Sequence, residues 1–117
     1  MEAVSGQHNV GHFEIPADNV ESLKSFYSSL FAWQFEHGET PNYMMVKNAG
    51  ISGGLAPKQD PEQMPTFFVN VESIEDYAER AKKLGGKIIK DKIELEHGYF
   101  AVLEDPQQNT FGIWQEK

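Results

Sequence analysis

One pattern occurs twice in this chain, and it restricts the fold more than any single motif does. Residues 11–30 and 65–84 each read as a strand, a turn and a helix, and their apolar positions coincide when one is laid over the other. Phe13 falls on Phe67, Ile15 on Val69, Val20 on Ile74, Leu23 on Tyr77, Tyr27 on Ala81 and Leu30 on Leu84. The polar positions do not match. Two copies of one supersecondary unit leave this trace, because each helix must bury a stripe against a sheet whatever its outer face carries.

The helix signals repeat as well. In the first helix Val20, Leu23, Tyr27 and Leu30 share a face with Phe26 beside them, and Asp18 is expected as N-cap with Glu21 completing a capping box. In the second, Ile74, Tyr77, Ala78, Ala81 and Leu84 form the stripe and Ser73 is the N-cap. Asp76 with Arg80 and Glu79 with Lys83 are i,i+4 pairs for the solvent side, and Gly85-Gly86 ends the helix because glycine adopts the left-handed conformation readily. Three short β-like stretches follow each helix, at 33–36, 43–47 and 51–55, then at 87–90, 99–104 and 110–115. Asp105-Pro106-Gln107-Gln108-Asn109 joins the last two as a hairpin. Residues 56–64, with Pro57 and Pro61, read as a linker, and Pro65 follows.

The order is therefore βαβββ twice, an α+β fold in a single domain of residues 1–117. Its first module covers about 10–56, its linker 57–65 and its second module about 66–116. Such sheets side by side are expected to form a partly open eight-stranded barrel around a cavity on the helix-free side, where function should reside.

Composition removes several alternatives. The absence of cysteine excludes disulfides, thiolate ligands and cysteine nucleophiles. A net charge of −8 repels a phosphate backbone, and Lys82, Lys83, Lys87, Lys90 and Lys92 read as a solvated face, so no nucleic-acid partner is expected. No apolar run approaches the ~20 residues of a membrane span, so no membrane partner is expected. Residues 1–10 lack the pattern of a signal peptide, which makes the cytoplasm the expected location.

Three stretches carry a resemblance. They are His12-Phe13-Glu14-Ile15-Pro16-Ala17-Asp18 with the aromatic run from Phe26 to Trp33, then Phe68-Val69-Asn70-Val71 leading to Leu84-Gly85-Gly86-Lys87, and finally Asp105 through Trp114. In this order they resemble the glyoxalase/bleomycin resistance/dioxygenase (vicinal oxygen chelate, VOC) superfamily, across about residues 10–115, with Gln108 standing where relatives usually have glycine. The resemblance implies a cavity, a homodimer and, in many relatives, a divalent metal held by one side chain from each of four strands.

Set against that implied ligand set, the first position falls on His12, the second on Gly53 or Gly54, the third on Thr66 and the fourth on Gly112. One of four is a competent ligand, and a lone imidazole does not hold a catalytic metal. A divalent metal cofactor is accordingly not expected, although a His12/Glu14 pair leaves a weak site open. Strand alternation puts Glu14 on the face of His12, and Thr66, Phe68, Asn70, Gly112 and Trp114 are expected on the cavity side too. Trp33 is a further candidate for the lining, and the glycines could leave open volume. His8 is expected in a frayed terminus, and His37 and His97 in turns.

Three functions are compatible with these residues. One is metal-independent binding of a small aromatic or cationic molecule, with Glu14 as the anionic group. The second is a glyoxalase I-like lyase or related VOC enzyme. The third is a dimeric interaction module with a vestigial cavity. The first fits the residues at the ligand positions best, while the catalytic residues and the ligand's identity stay open.

Overall fold

A computed structural model of the chain describes residues 8–117. The elements run β1 (Val10–Ala17), α1 (Val20–Phe31), β2 (Phe35–His37), β3 (Met44–Val46), β4 (Ser52–Pro57), β5 (Thr66–Asn70), α2 (Ile74–Lys83), β6 (Lys87–Glu94), β7 (Gly98–Glu104) and β8 (Thr110–Glu116). This is βαβββ twice, as the repeat predicts. The described residues divide into two units, one of His12–Thr66 and one that combines the start of β1 up to Gly11 with Phe67–Lys117.

In the His12–Thr66 unit the strand order is β2-β3-β4-β1. β1 runs parallel to β4, with His12 opposite Ser52 and Glu14 opposite Gly54, while the other pairs are antiparallel. Alternation then sorts the side chains. Phe13 contacts Trp33, which stacks on Tyr27 and lies against Phe31, so one face of β1 meets the α1 side through aromatic rings. Leu55 has no accessible surface, and Met44 and Val46 are buried. Full burial of Leu55 contributes about 1.5–3 kcal/mol. His12, Glu14, Ser52 and Gly54 share the other face.

α1 differs from its sequence reading in two respects. Asn19, not Asp18, is the N-cap: its extended backbone (φ −137°) lets its side chain accept from the Ser22 N–H at 2.9 Å. Asp18 stands one residue too early and pairs instead with Lys58 at 3.7 Å. The apolar stripe is also narrower than expected, since Phe26 and Leu30 are more than half exposed. The helix ends at Ala32, a non-glycine residue in the left-handed region (φ 59°) whose N–H reaches the Ser28 carbonyl.

β4 runs two residues past its expected end at 55, through Pro57. The Lys58 N–H donates to the Ala17 carbonyl at 2.8 Å, so the nitrogen of Pro57 points to the opposite side, where β3 has already ended opposite Leu55. A proline costs no ladder bond there.

In the other unit the order is β5-β8-β7-β6. Its core is Val71, Ile74, Ala78, Ala101, Leu103 and Ile113, with Ile74 and Leu103 almost completely buried. Ser73 caps α2 as predicted, accepting from the Asp76 N–H at 3.2 Å, and Asp76 pairs with Arg80 at 3.2 Å. Glu79 selects Lys82 at 2.8 Å rather than Lys83. Leu84 lies past the last helical residue and is 79% exposed, so it drops out of the stripe. Gly85 supplies the left-handed stop (φ +100°).

His8 is not frayed. Its N–H donates to the Asn70 carbonyl, the Asn70 N–H returns to Asn9, and its imidazole Nε2 lies 2.7 Å from the Tyr77 hydroxyl. His37 closes β2 instead of occupying a turn, whereas His97 is exposed between β6 and β7. No helix among the described residues is long and apolar enough to cross a membrane.

Candidate functional site

The helix-free face of the His12–Thr66 unit carries a continuous hydrogen-bonded chain. His12 Nδ1 lies 2.7 Å from the Ser52 hydroxyl, because parallel pairing sets these two residues opposite one another. His12 Nε2 lies 2.8 Å from the hydroxyl of Tyr43, and that hydroxyl also bonds to Glu14. The sequence reading brings His12 and Glu14 to one face; Tyr43 and Ser52 complete the group and were missed. Ser52 could have been found from the alternation around Gly53 and Gly54. Tyr43 had no such signal, since its placement depends on a loop.

That loop is specific. Asn42 takes a left-handed conformation (φ 63°), and the Gly38 N–H closes the turn onto the Tyr43 carbonyl at 2.8 Å. The ring of Tyr43 then lies across Gly54, where a Cβ would come within 2.1 Å of its hydroxyl oxygen. Gly53 faces the other way, under the ring of Phe13. Of the two expected candidates in β4, Gly54 therefore shares the face of His12. It leaves no open volume, because Tyr43 fills the space.

Electrostatics give the chain a direction. Burial pushes the Tyr43 hydroxyl far above the usual tyrosine range, and the negative charge of Glu14 and the hydrogen bond to it push it further. Tyr43 therefore keeps its proton and donates it to Glu14. Burial also draws the His12 imidazole below its ordinary value of 6.5, so it is neutral at neutral pH. Beside the chain, Met45, Val46, Lys47, Gly50, Ile51 and Ser52 line an open recess of about 280 Å³. Lys47 is paired there with Glu36 at 2.7 Å.

The remaining expected site residues are distributed as follows. Thr66 is partly buried, and its hydroxyl donates to the Met64 carbonyl at 3.2 Å. In the second unit Phe68 pairs with Gly112 and Asn70 with Trp114 across β5 and β8, so these four share a face as predicted. Phe68 is buried, meets Phe100 edge-on and covers Gly112, where a Cβ would fall 2.2 Å from its ring. Asn70 lies over Gly11, and Trp114 over Gly98. Trp33 does not line this side of the first unit, since it packs among Phe13, Tyr27 and Phe31 toward α1.

The four implied ligand positions are engaged within the protein. His12 has hydroxyl partners at both ring nitrogens, Gly54 and Gly112 are covered by rings, and the Thr66 hydroxyl is a neutral oxygen turned to a carbonyl. Among the described residues no three His, Asp or Glu side chains cluster in a way that could hold an ion.

Paired βαβββ modules with a helix-free functional face define the glyoxalase/bleomycin resistance/dioxygenase superfamily, the vicinal oxygen chelate proteins. Solved structures agree on the fold. The chain resembles methylmalonyl-CoA epimerase from Mycobacterium tuberculosis with a TM-score of 0.75 and 11% identity, covering 100% of this chain and 93% of that one. It resembles a glyoxalase/bleomycin resistance protein/dioxygenase superfamily member from Vibrio splendidus with a TM-score of 0.67 and 14% identity, over 93% of this chain and 98% of that one. A glyoxylase-like domain-containing protein of Didymella fabae is 29% identical over 117 residues, which cover 89% of this chain and 91% of that protein. The profile of the glyoxalase-like domain family matches residues 12–114, and the chain belongs to that family.

Proposed function

We propose that this glyoxalase-like protein binds a small aromatic or cationic molecule on the helix-free face of its first module, without a metal, and that Glu14 is the charged anchor. The observation that carries this reading is the Glu14–Tyr43–His12–Ser52 chain, which occupies with mutual hydrogen bonds the groups that a metal would need. The partly buried Glu14 carboxylate favours a cationic partner. A net charge of −8 raises the local concentration of such ligands. The adjoining recess suits a compact molecule rather than a drug-sized one. Self-association and a cytoplasmic site of action belong to the same proposal, and sedimentation velocity at micromolar protein tests the first.

A thermal-shift screen of small aromatic cations tests the ligand class. A true ligand at a hundredfold excess over its Kd stabilises the fold by about 2.7 kcal/mol. Glu14→Gln should weaken binding of a cationic hit and leave a neutral one unaffected. Equal affinity in the variant removes Glu14 from the site. The lyase reading, favoured by family membership, wins instead if purified protein titrates stoichiometrically with nickel, zinc or cobalt and His12→Gln abolishes the uptake.

A further inference from the structure

The chain of hydrogen bonds on the first module ends at an exposed hydroxyl. Tyr43 donates to Glu14, so its oxygen is the acceptor for His12 Nε2–H at 2.8 Å. The proton on Nε2 leaves Nδ1 as the basic nitrogen, and the Ser52 hydroxyl donates to it at 2.7 Å. A hydroxyl, a neutral imidazole within hydrogen-bond reach and a third group that fixes the imidazole's orientation are together the arrangement that makes a serine nucleophilic. Ser52 is exposed at the start of β4 and borders the recess that Gly50 and Lys47 also line.

We propose that Ser52 is a nucleophile activated by His12 and that the recess accepts small activated esters. The Ser52 oxygen attacks the acyl carbon while its proton passes to His12 Nδ1. The bond from acyl carbon to leaving oxygen breaks, and the leaving alcohol takes the proton from Nδ1. Water, deprotonated by the same nitrogen, then cleaves the acyl-serine, which releases the acid and restores Ser52. Tyr43 and Glu14 are positioning residues: they hold the tautomer and offset the charge of the transient imidazolium. Lys47 is the cationic residue among those that line the recess, with its ammonium paired to Glu36 at 2.7 Å. This activity goes beyond the binding proposal. It uses the same face but does not require a cationic ligand, so failure of the Glu14 binding test leaves it standing.

The probe is p-nitrophenyl acetate with the full chain. A burst of nitrophenolate and an acetyl group on Ser52, located by peptide mass spectrometry, are expected. Ser52→Ala should abolish the adduct. His12→Gln should slow acylation on the order of a hundredfold or more. The rate should rise with pH through a midpoint below 6.5, the ordinary histidine value. Tyr43→Phe keeps the ring over Gly54 but removes the link to Glu14, and should move that midpoint lower still. A merely structural tyrosine would change stability and not the midpoint. Acetylation confined to lysines, or a burst that survives in Ser52→Ala, overturns the proposal. Thermal unfolding of each variant separates loss of chemistry from loss of fold.

Discussion

Gly54 and Gly112 stand at matching positions in the two modules: Gly54 lies opposite Glu14, two residues after His12, and Gly112 lies opposite Phe68, two residues after Thr66. In the first module the space above the glycine is taken by Tyr43, whose hydroxyl joins His12 and Glu14. In the second it is taken by Phe68, the direct neighbour of Gly112 and the repeat counterpart of Glu14. One backbone solution thus supports a polar chain in one copy and an apolar surface in the other. The helices differ in the same manner. α2 buries Ile74 and Ala78 in an aliphatic core, whereas α1 buries no residue completely and meets its sheet through aromatic rings. A duplicated frame fixes where side chains stand and leaves their chemistry free to diverge.

The largest expected effect tests whether the modules are equally well built. Leu55→Ala and Leu103→Ala remove side chains with at most 1% exposure, one from each unit. Each should cost about 2–5 kcal/mol, and chemical denaturation reads it. A much smaller loss for Leu55 would show that the aromatic side of the first module collapses onto the gap. Glycine substitutions come next. Gly54→Ala and Gly112→Ala should each cost about 1–3 kcal/mol by overpacking. Only Gly54→Ala should break the Tyr43 hydrogen bonds, which shows as an altered Tyr43 signal in NMR spectra. Similar spectra for both would erase the polar-versus-apolar contrast.

The smallest effect is pH dependence. Folding lowers the pKa of His12, so the unfolded chain binds the proton more readily than the folded one. The resulting stability is complete above the unfolded value of 6.5 and is lost as pH falls through the lowered folded value. Melting temperatures measured from about pH 8 to pH 5 should fall less in His12→Gln than in the parent. Substituting Thr66, the counterpart in the second module, should leave the slope unchanged.

Much of the fold was legible because the repeat is written in apolar positions, which packing constrains tightly. The Ser73 cap and the Gly85 stop were readable for the same reason, since each is a local backbone requirement. Asn19 displaced Asp18 because neighbouring cap-competent residues compete on backbone angle alone. The His12 and Glu14 face followed from strand alternation, and so did the shared face of Phe68, Asn70, Gly112 and Trp114. Tyr43 was not readable, because a left-handed Asn42 and a glycine turn aim it, and no periodicity records that. Trp33 was misplaced because an aromatic residue looks the same whether it faces a helix or a cavity.

The rings over Gly54 and Gly112 also act as a ratchet on what the protein can become. Introducing a ligating side chain at either position by a single substitution collides with Tyr43 or Phe68, and removing the ring first opens a hole with nothing to fill it. Each route to a ligating side chain at these two positions therefore crosses a less stable intermediate, and a designer who wants one should exchange glycine and ring together.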